Sequence, residues 1–143
     1  MSYIFQQASY LIGEEKPGAV QFQVNLVLDP EHQTVSGTGR VTQAVNPPLS
    51  VSTRLHGQYK VLNLSLRAPI QMILVDAIGY PILQWPPFAG VGPAFPPNAR
   101  LSMTLENWTT GTASFSYVDD NGDSHEVSDA PVKLLSSTQP NDA

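Results

Sequence analysis

The feature that most constrains the fold is an alternation of apolar and polar side chains between Ala19 and Asp29. One face carries Val20, Phe22, Val24, Leu26 and Leu28, and the other carries Gln21, Gln23 and Asn25. Successive side chains of a strand point to opposite faces, so only a strand with one buried face shows this pattern. The segment therefore predicts a β-strand that borders a hydrophobic core.

The same alternation recurs along the chain and indicates an antiparallel all-β protein. It is found in residues 34–44, 49–61, 101–105 and 113–117. Residues 29–33 and the sequence Asp120-Asn121-Gly122-Asp123 are typical hairpin turns, and no segment has a capped helical pattern. We predict a single domain of seven to nine strands over residues 1–135, either a β-sandwich or an up-and-down (calycin-like) barrel, with a disordered tail over residues 136–143.

Four finer expectations concern individual strands. Gly57 predicts a bend or bulge that divides residues 49–61 into two shorter strands. Residues 71–80 are more continuously apolar, which is typical of a strand that is covered on both faces or lies centrally in a sheet. Gly37 and Gly39 fall on the inward face of their strand, which indicates a close approach by another backbone or a sharply coiled strand. The last hairpin is expected to end near Val127.

Composition excludes several classes of protein. The chain has no cysteine, which rules out disulfides, thiolate metal sites and cysteine nucleophiles. The formal net charge is −5 and the seven basic residues are scattered, so a nucleic-acid partner is not expected. The chain shows no Sec signal pattern and no apolar run of transmembrane length. We expect a cytoplasmic protein, with non-classical secretion left open.

A long segment between Pro81 and Asn98 is rich in proline and aromatic residues. It carries Trp85, Phe88 and Phe95 and lacks any strand or helix pattern. Loops of this length in compact domains are usually functional or disordered. The three rings would either line a pocket for a ligand or pack as a structural plug over the end of the barrel.

A second candidate site is a polar stripe on one predicted strand. Arg54, His56, Gln58 and Lys60 share one face, and Arg40 is expected beside them on a neighbouring strand. Such a stripe could hold an anionic ligand in a barrel lumen or on a concave sheet. The alternative is an ordinary solvated strand face.

Titratable residues provide no positive evidence for catalysis. Asp76 interrupts an apolar segment and is either a buried acid or exposed to water. Asp119, Asn121 and Asp123 have the spacing that opens a calcium loop, but the bidentate glutamate is missing and a hairpin turn accounts for them. No nucleophile elbow, phosphate loop or dinucleotide motif is present. We assign no catalytic residue, no metal ligand and no cofactor.

Several sequence motifs resemble a known family. Residues 41–49 read VTQAVNPPL, and further matching stretches are ILVDAIGYP at 73–81, PPNA at 96–99 and WTTGTA at 108–113. This set is similar to the bacterial family called domain of unknown function 1842. The resemblance implies a bacterial source, and it transfers no activity and no site residue.

These observations leave several functions open. The leading hypothesis is a non-enzymatic module whose aromatic loop binds a small apolar ligand or a partner protein. A second is a component of a bacterial toxin or host-directed assembly that contacts membranes. A third is a small barrel enzyme acting on an apolar substrate, with Asp76 or His56 transferring protons in a closed lumen. Pairing of exposed strand edges would give a homo-oligomer.

Overall fold

The protein folds as a closed barrel of antiparallel strands. The computed structural model describes residues 6–45, 48–65, 69–82, 96–119 and 121–138. The strands are β1 (Gln6–Ile12), β2 (Val20–Asp29), β3 (Thr34–Gln43), β4 (Leu49–Ser65), β5 (Pro69–Pro81), β6 (Ala99–Glu106), β7 (Thr110–Val118) and β8 (Ser124–Thr138). Each pairs with the next, and β1 pairs with β8. The predicted all-β fold is confirmed, and it is an up-and-down barrel.

A single hydrophobic cluster with members from all eight strands occupies the interior. In β2 the alternation predicted from sequence is observed, because Phe22, Val24, Leu26 and Leu28 are buried. The ring of Phe22 lies 5.1 Å from that of Phe115 on β7, measured between centroids. Strands β2 and β7 are not neighbours in the sheet, so this contact crosses the lumen and shows that side chains fill it.

Gly39 illustrates why a small residue is needed on the inner wall. A Cβ at this position would lie 2.5 Å from Cε1 of Phe22 on the paired strand β2. Real side chains do not approach so closely, so the Phe22 ring occupies the space that a larger residue would need. The predicted close approach by another backbone is found at Gly37, where a Cβ would collide with the carbonyl oxygen of Asn25, whereas at Gly39 the approaching group is an aromatic ring.

The prediction that Gly57 divides its segment into two strands is wrong. Strand β4 is continuous through Gly57, which pairs with Val35 on β3 and Ala77 on β5 without a change of register. A Cβ on Gly57 would collide with the carbonyl oxygen of Asp76. The glycine is thus explained by a close backbone approach inside an unbroken sheet, rather than by a bulge.

Of the two alternatives for residues 71–80, a central position in the sheet is observed, because β5 pairs with both β4 and β6, whereas coverage on both faces is not. Ile73, Val75 and Ala77 of β5 are buried in the barrel, whereas Leu74 is 39% exposed and Tyr80 is 45% exposed. The apolar run therefore reflects one core face plus an outer face that happens to carry large apolar side chains. This outer face borders the candidate site described below.

The last strand runs further than predicted. Strand β8 continues beyond Val127 to Thr138, and residues 136–138, expected in the tail, pair with β1. Residues 139–143 lie outside the described residues. Within the described part of the chain, no helix is long and apolar enough to cross a membrane.

One end of the barrel is closed by the turn between β6 and β7. Asn107 and Trp108 have positive φ angles of 53° and 68°. The Trp108 ring packs edge-on against Tyr59 with centroids 5.6 Å apart. The hydroxyl of Tyr10 donates a hydrogen bond of 2.8 Å to the Trp108 carbonyl. Two interior tyrosines therefore hold this turn against the core.

Candidate functional site

The predicted aromatic site is not represented in the structure. Trp85, Phe88 and Phe95 lie outside the described residues, so their role as pocket or plug stays a prediction. The end of that connection is described, and Asn98 fixes it to the barrel. Its side chain bonds to Thr53 Oγ1 at 2.7 Å and donates to the Ser52 carbonyl at 3.1 Å. The loop therefore returns to the barrel at a buried polar anchor.

The predicted polar stripe lies on the outer wall of the barrel. Arg54, His56, Gln58 and Lys60 are all exposed on β4, so their shared face is found as expected. Because the intervening Leu55 and Tyr59 are buried, the stripe points away from the lumen. An anionic ligand in the lumen is therefore excluded for this stripe, and a binding surface on the outer wall and an ordinary solvated strand face are the remaining alternatives.

An open depression of about 1210 Å³ lies beside this stripe, lined by residues of β4 to β8, of the β2–β3 turn and of the start of β3. We call it the outer depression. Its lining includes the side chains of His32, His56, Gln58, Lys60, Leu74, Asp76, Arg100, Ser102, Ser114, Ser116 and Glu126.

Strand register places Asp76 near the centre of the outer depression. It pairs with Gln58 on β4 and with Ser102 on β6. His56 and Lys60 are its diagonal neighbours on β4, and Arg100 is a diagonal neighbour on β6. Asp76 is exposed, so the reading of this residue as a buried acid is wrong. No hydrogen bond joins Asp76 to His56 within the described residues.

The basic residues of this wall take part in none of the ion pairs found among the described residues. In the residues the structure describes, ion pairs join Lys16 to Glu14, Lys133 to Glu15, His32 to Asp29 and His125 to Asp119. None of these pairs involves Arg54, Lys60 or Arg100. Sequence analysis missed Arg100, because only the register between β5 and β6 brings it beside the stripe.

Exposed apolar side chains accompany these charges. Leu62 is 40% exposed and Leu74 is 39% exposed, and they lie on the paired strands β4 and β5. Tyr80, which pairs with Arg54, is 45% exposed. The wall thus combines cationic and apolar groups on one face, a mixture that suits contact with another polypeptide.

Two polar clusters lie in turns. In the β2–β3 turn, Asp29 Oδ2 lies 2.8 Å from His32 Nδ1, which lowers the pKa of Asp29 and raises that of His32. Asp29, Glu31 and His32 bring three potential metal ligands together, and the backbone hydrogen bonds of the turn also account for them.

The β7–β8 turn is organised around Asp119. Its Oδ1 accepts hydrogen bonds of 2.9 Å from the backbone N–H groups of Asn121 and Asp123, and its Oδ2 lies 2.7 Å from His125 Nε2. The bond to His125 is the largest of the effects that lower the pKa of Asp119. These contacts support the hairpin interpretation of a sequence that resembles the start of a calcium loop.

Comparison with models of protein families found a match for this chain. The family model described as Domain of unknown function (DUF1842) matches residues 4–122. The chain belongs to the DUF1842 family. The match covers β1 to β7 and ends in the turn before β8, the strand that closes the DUF1842 barrel. Comparison with curated proteins found no match to this DUF1842 chain.

Proposed function

We propose that this protein is a non-enzymatic interaction module that binds a partner protein through the outer depression and the adjoining stripe on β4. The observation that carries the proposal is the set of cations Arg54, Lys60 and Arg100, which form no ion pair among the described residues, beside exposed Leu74 on the outer wall. Such a wall offers both charge complementarity and apolar area to a second polypeptide.

The contents of the lumen favour a partner protein over a small apolar ligand. Barrels that bind such ligands hold them in an internal cavity, whereas here Phe22, Phe115, Leu55 and Met103 are buried inside the barrel. A ligand beneath the segment from Pro81 to Asn98 remains a prediction for Trp85, Phe88 and Phe95. The outer wall is the surface that the described residues support.

The enzyme hypothesis has less support. Asp76 and His56, the residues considered for proton transfer, are both exposed on the outer wall rather than enclosed in the lumen. General acid–base groups usually need a positioned partner and an environment that excludes water. The toxin or membrane hypothesis would require lipid contact, which liposome co-sedimentation would detect.

Site-directed photo-crosslinking tests the proposal. A photoreactive residue replaces Ser102 in the outer depression, and a control replaces the exposed Gln23 on β2, on the opposite side of the barrel. In an extract of the source cells, we expect a discrete protein adduct from position 102 and none from position 23. Mass spectrometry identifies the crosslinked protein.

Charge variants provide the specificity control. The double variant Lys60→Glu/Arg100→Glu should abolish the adduct from position 102. Lys16→Glu/Lys133→Glu changes the net charge equally at residues outside the depression and should leave the adduct unchanged. Equal crosslinking in both variants, or from both positions, contradicts the proposal. An adduct of twice the chain mass would instead assign the wall to self-association.

A further inference from the structure

We infer that the partner segment is an extended acidic peptide that lies along β4, with carboxylates facing Arg54, His56 and Lys60 and an uncharged residue facing Gln58. This inference rests on the proposed function and specifies the chemistry of the partner. The peptide would thus have acidic residues at alternate positions, except for one uncharged residue opposite Gln58.

The spacing of the stripe determines the partner's conformation. Arg54, His56, Gln58 and Lys60 occupy alternate positions of one unbroken strand. Side chains two residues apart on a strand are separated by about 6.6–6.8 Å along its axis. An extended peptide has the same repeat, so each of its alternate side chains can lie opposite one residue of the stripe. A helix, which rises about 1.5 Å per residue, would not.

The position of Asp76 explains why the peptide residue opposite Gln58 is uncharged. Asp76 pairs with Gln58 across the β4–β5 ladder and is exposed at the centre of the outer depression. A carboxylate placed opposite Gln58 would lie close to that of Asp76, and like charges in such proximity repel. A neutral hydrogen-bonding side chain at this position avoids the repulsion and can bond to the Gln58 amide.

The same carboxylates favour a peptide over a nucleic acid. A single-stranded oligonucleotide presents a phosphate at every step, so it cannot leave the position beside Asp76 uncharged. Glu126, which also lines the depression, adds a second negative charge near such a ligand. The formal charge of the whole chain, −5, also disfavours binding of a nucleic acid.

Two synthetic peptides of identical composition test the inference. Both have capped ends and contain three glutamates, three threonines and one glutamine, arranged as ETETQTE in one and EEETTTQ in the other. Binding is followed by amide chemical shifts of the intact protein at low salt. We expect shifts in β4 and β5, binding about threefold tighter for the alternating peptide, and weakening as salt is raised.

Variants locate the binding. Arg54→Gln/Lys60→Gln should abolish the shifts, whereas Lys16→Gln/Lys133→Gln should retain them, and the amide spectra confirm that both variants are folded. Equal binding of the two peptides, no binding, or binding that survives the first variant overturns the inference. Tighter binding of a thymidine oligonucleotide at β4 also overturns it. In each case the crosslinking experiment still decides the proposed function independently.

Discussion

At the scale of single residues, Tyr10 shows how one polar atom stabilises the closed end of the barrel. Its side chain is 1% exposed, and its hydroxyl satisfies the carbonyl of Trp108 in a turn with left-handed backbone angles. Burial disfavours the charged phenolate, and it raises the pKa of Tyr10 from 10.0 to about 12. The neutral hydroxyl is therefore part of the folded state.

We expect Tyr10→Phe to lower the free energy of unfolding by about 0.5–1.5 kcal/mol at neutral pH, because a hydrogen bond is lost. The folded-state pKa of Tyr10 is above its unfolded value, so its contribution is present below pH 10 and is lost as the pH rises towards about 12. Urea denaturation at several pH values should therefore show that the free energy of unfolding falls more steeply above pH 10 in the wild type than in Tyr10→Phe. Tyr80→Phe, at an exposed position, is the control; parallel curves for the wild type and Tyr10→Phe would refute the role of this phenol.

Residue-scale features of the candidate site were only partly predictable. The alternation of Arg54 and His56 on one strand face is a local property, so the sequence reveals it directly. The proximity of Arg100 and Asp76 to that stripe depends on the register between three strands, which no local pattern encodes. The central position of Asp76 therefore emerges only from the folded barrel.

At the scale of elements, the β7–β8 turn depends on the ionised form of one carboxylate. Asp119 accepts two backbone hydrogen bonds and pairs with His125, whose ring also stacks on Tyr117 with centroids 5.1 Å apart. The turn residues, the carboxylate and the strand on each side are thus held as one unit.

Asp119→Asn should reduce the acid sensitivity of this turn. The pKa of Asp119 is lowered in the folded state, so its stabilising contribution is present above the unfolded value of 3.8 and is lost as the pH falls below it. Hydrogen exchange of the Asn121 and Asp123 amides should accelerate on acidification more in the wild type than in the variant, after correction for intrinsic exchange. Asp123→Asn is the matched control. An identical pH response of the wild type and Asp119→Asn would show that the carboxylate is not responsible.

Strands and turns were predicted correctly where the pattern that specifies them is local in sequence. The β2–β3 and β7–β8 hairpins were predicted because turn chemistry and alternation are local in sequence. Strand β1 was missed, because Leu11 on its outer face obscures the alternation of Ala8, Tyr10 and Ile12. The far part of β8 was missed for a similar reason, since Pro131 and exposed Leu135 are unusual in a half-buried strand.

At the scale of the whole molecule, the seam between β1 and β8 closes the barrel. The two strands pair from Gln7 with Thr138 to Ile12 with Val132, with one irregularity next to Ser9. Ile12 is fully buried at this seam. No sequence pattern predicts such a pairing between the two ends of a chain, which is why barrel and sandwich were indistinguishable before the structure.

Ile12→Ala should destabilise the barrel by about 2–5 kcal/mol, because it removes buried methyl groups and leaves a cavity at the seam. Denaturant unfolding measures the loss, and hydrogen exchange should show faster opening of both β1 and β8. Leu135→Ala, at a 44% exposed position on β8, should change stability by less than about 0.5 kcal/mol. A loss confined to β1 would mean that the seam is not a cooperative unit.

The seam also has a consequence for biosynthesis. Strand β1 is translated among the first residues of the barrel, yet one of its two partners, β8, is the last strand to leave the ribosome. Until then the nascent chain presents two unpaired strand edges and an incompletely covered apolar lining, both of which favour aggregation. We therefore expect the barrel to close only after β8 has left the ribosome, at a rate limited by this distant pairing, and nascent chains stalled before β8 to depend on chaperones.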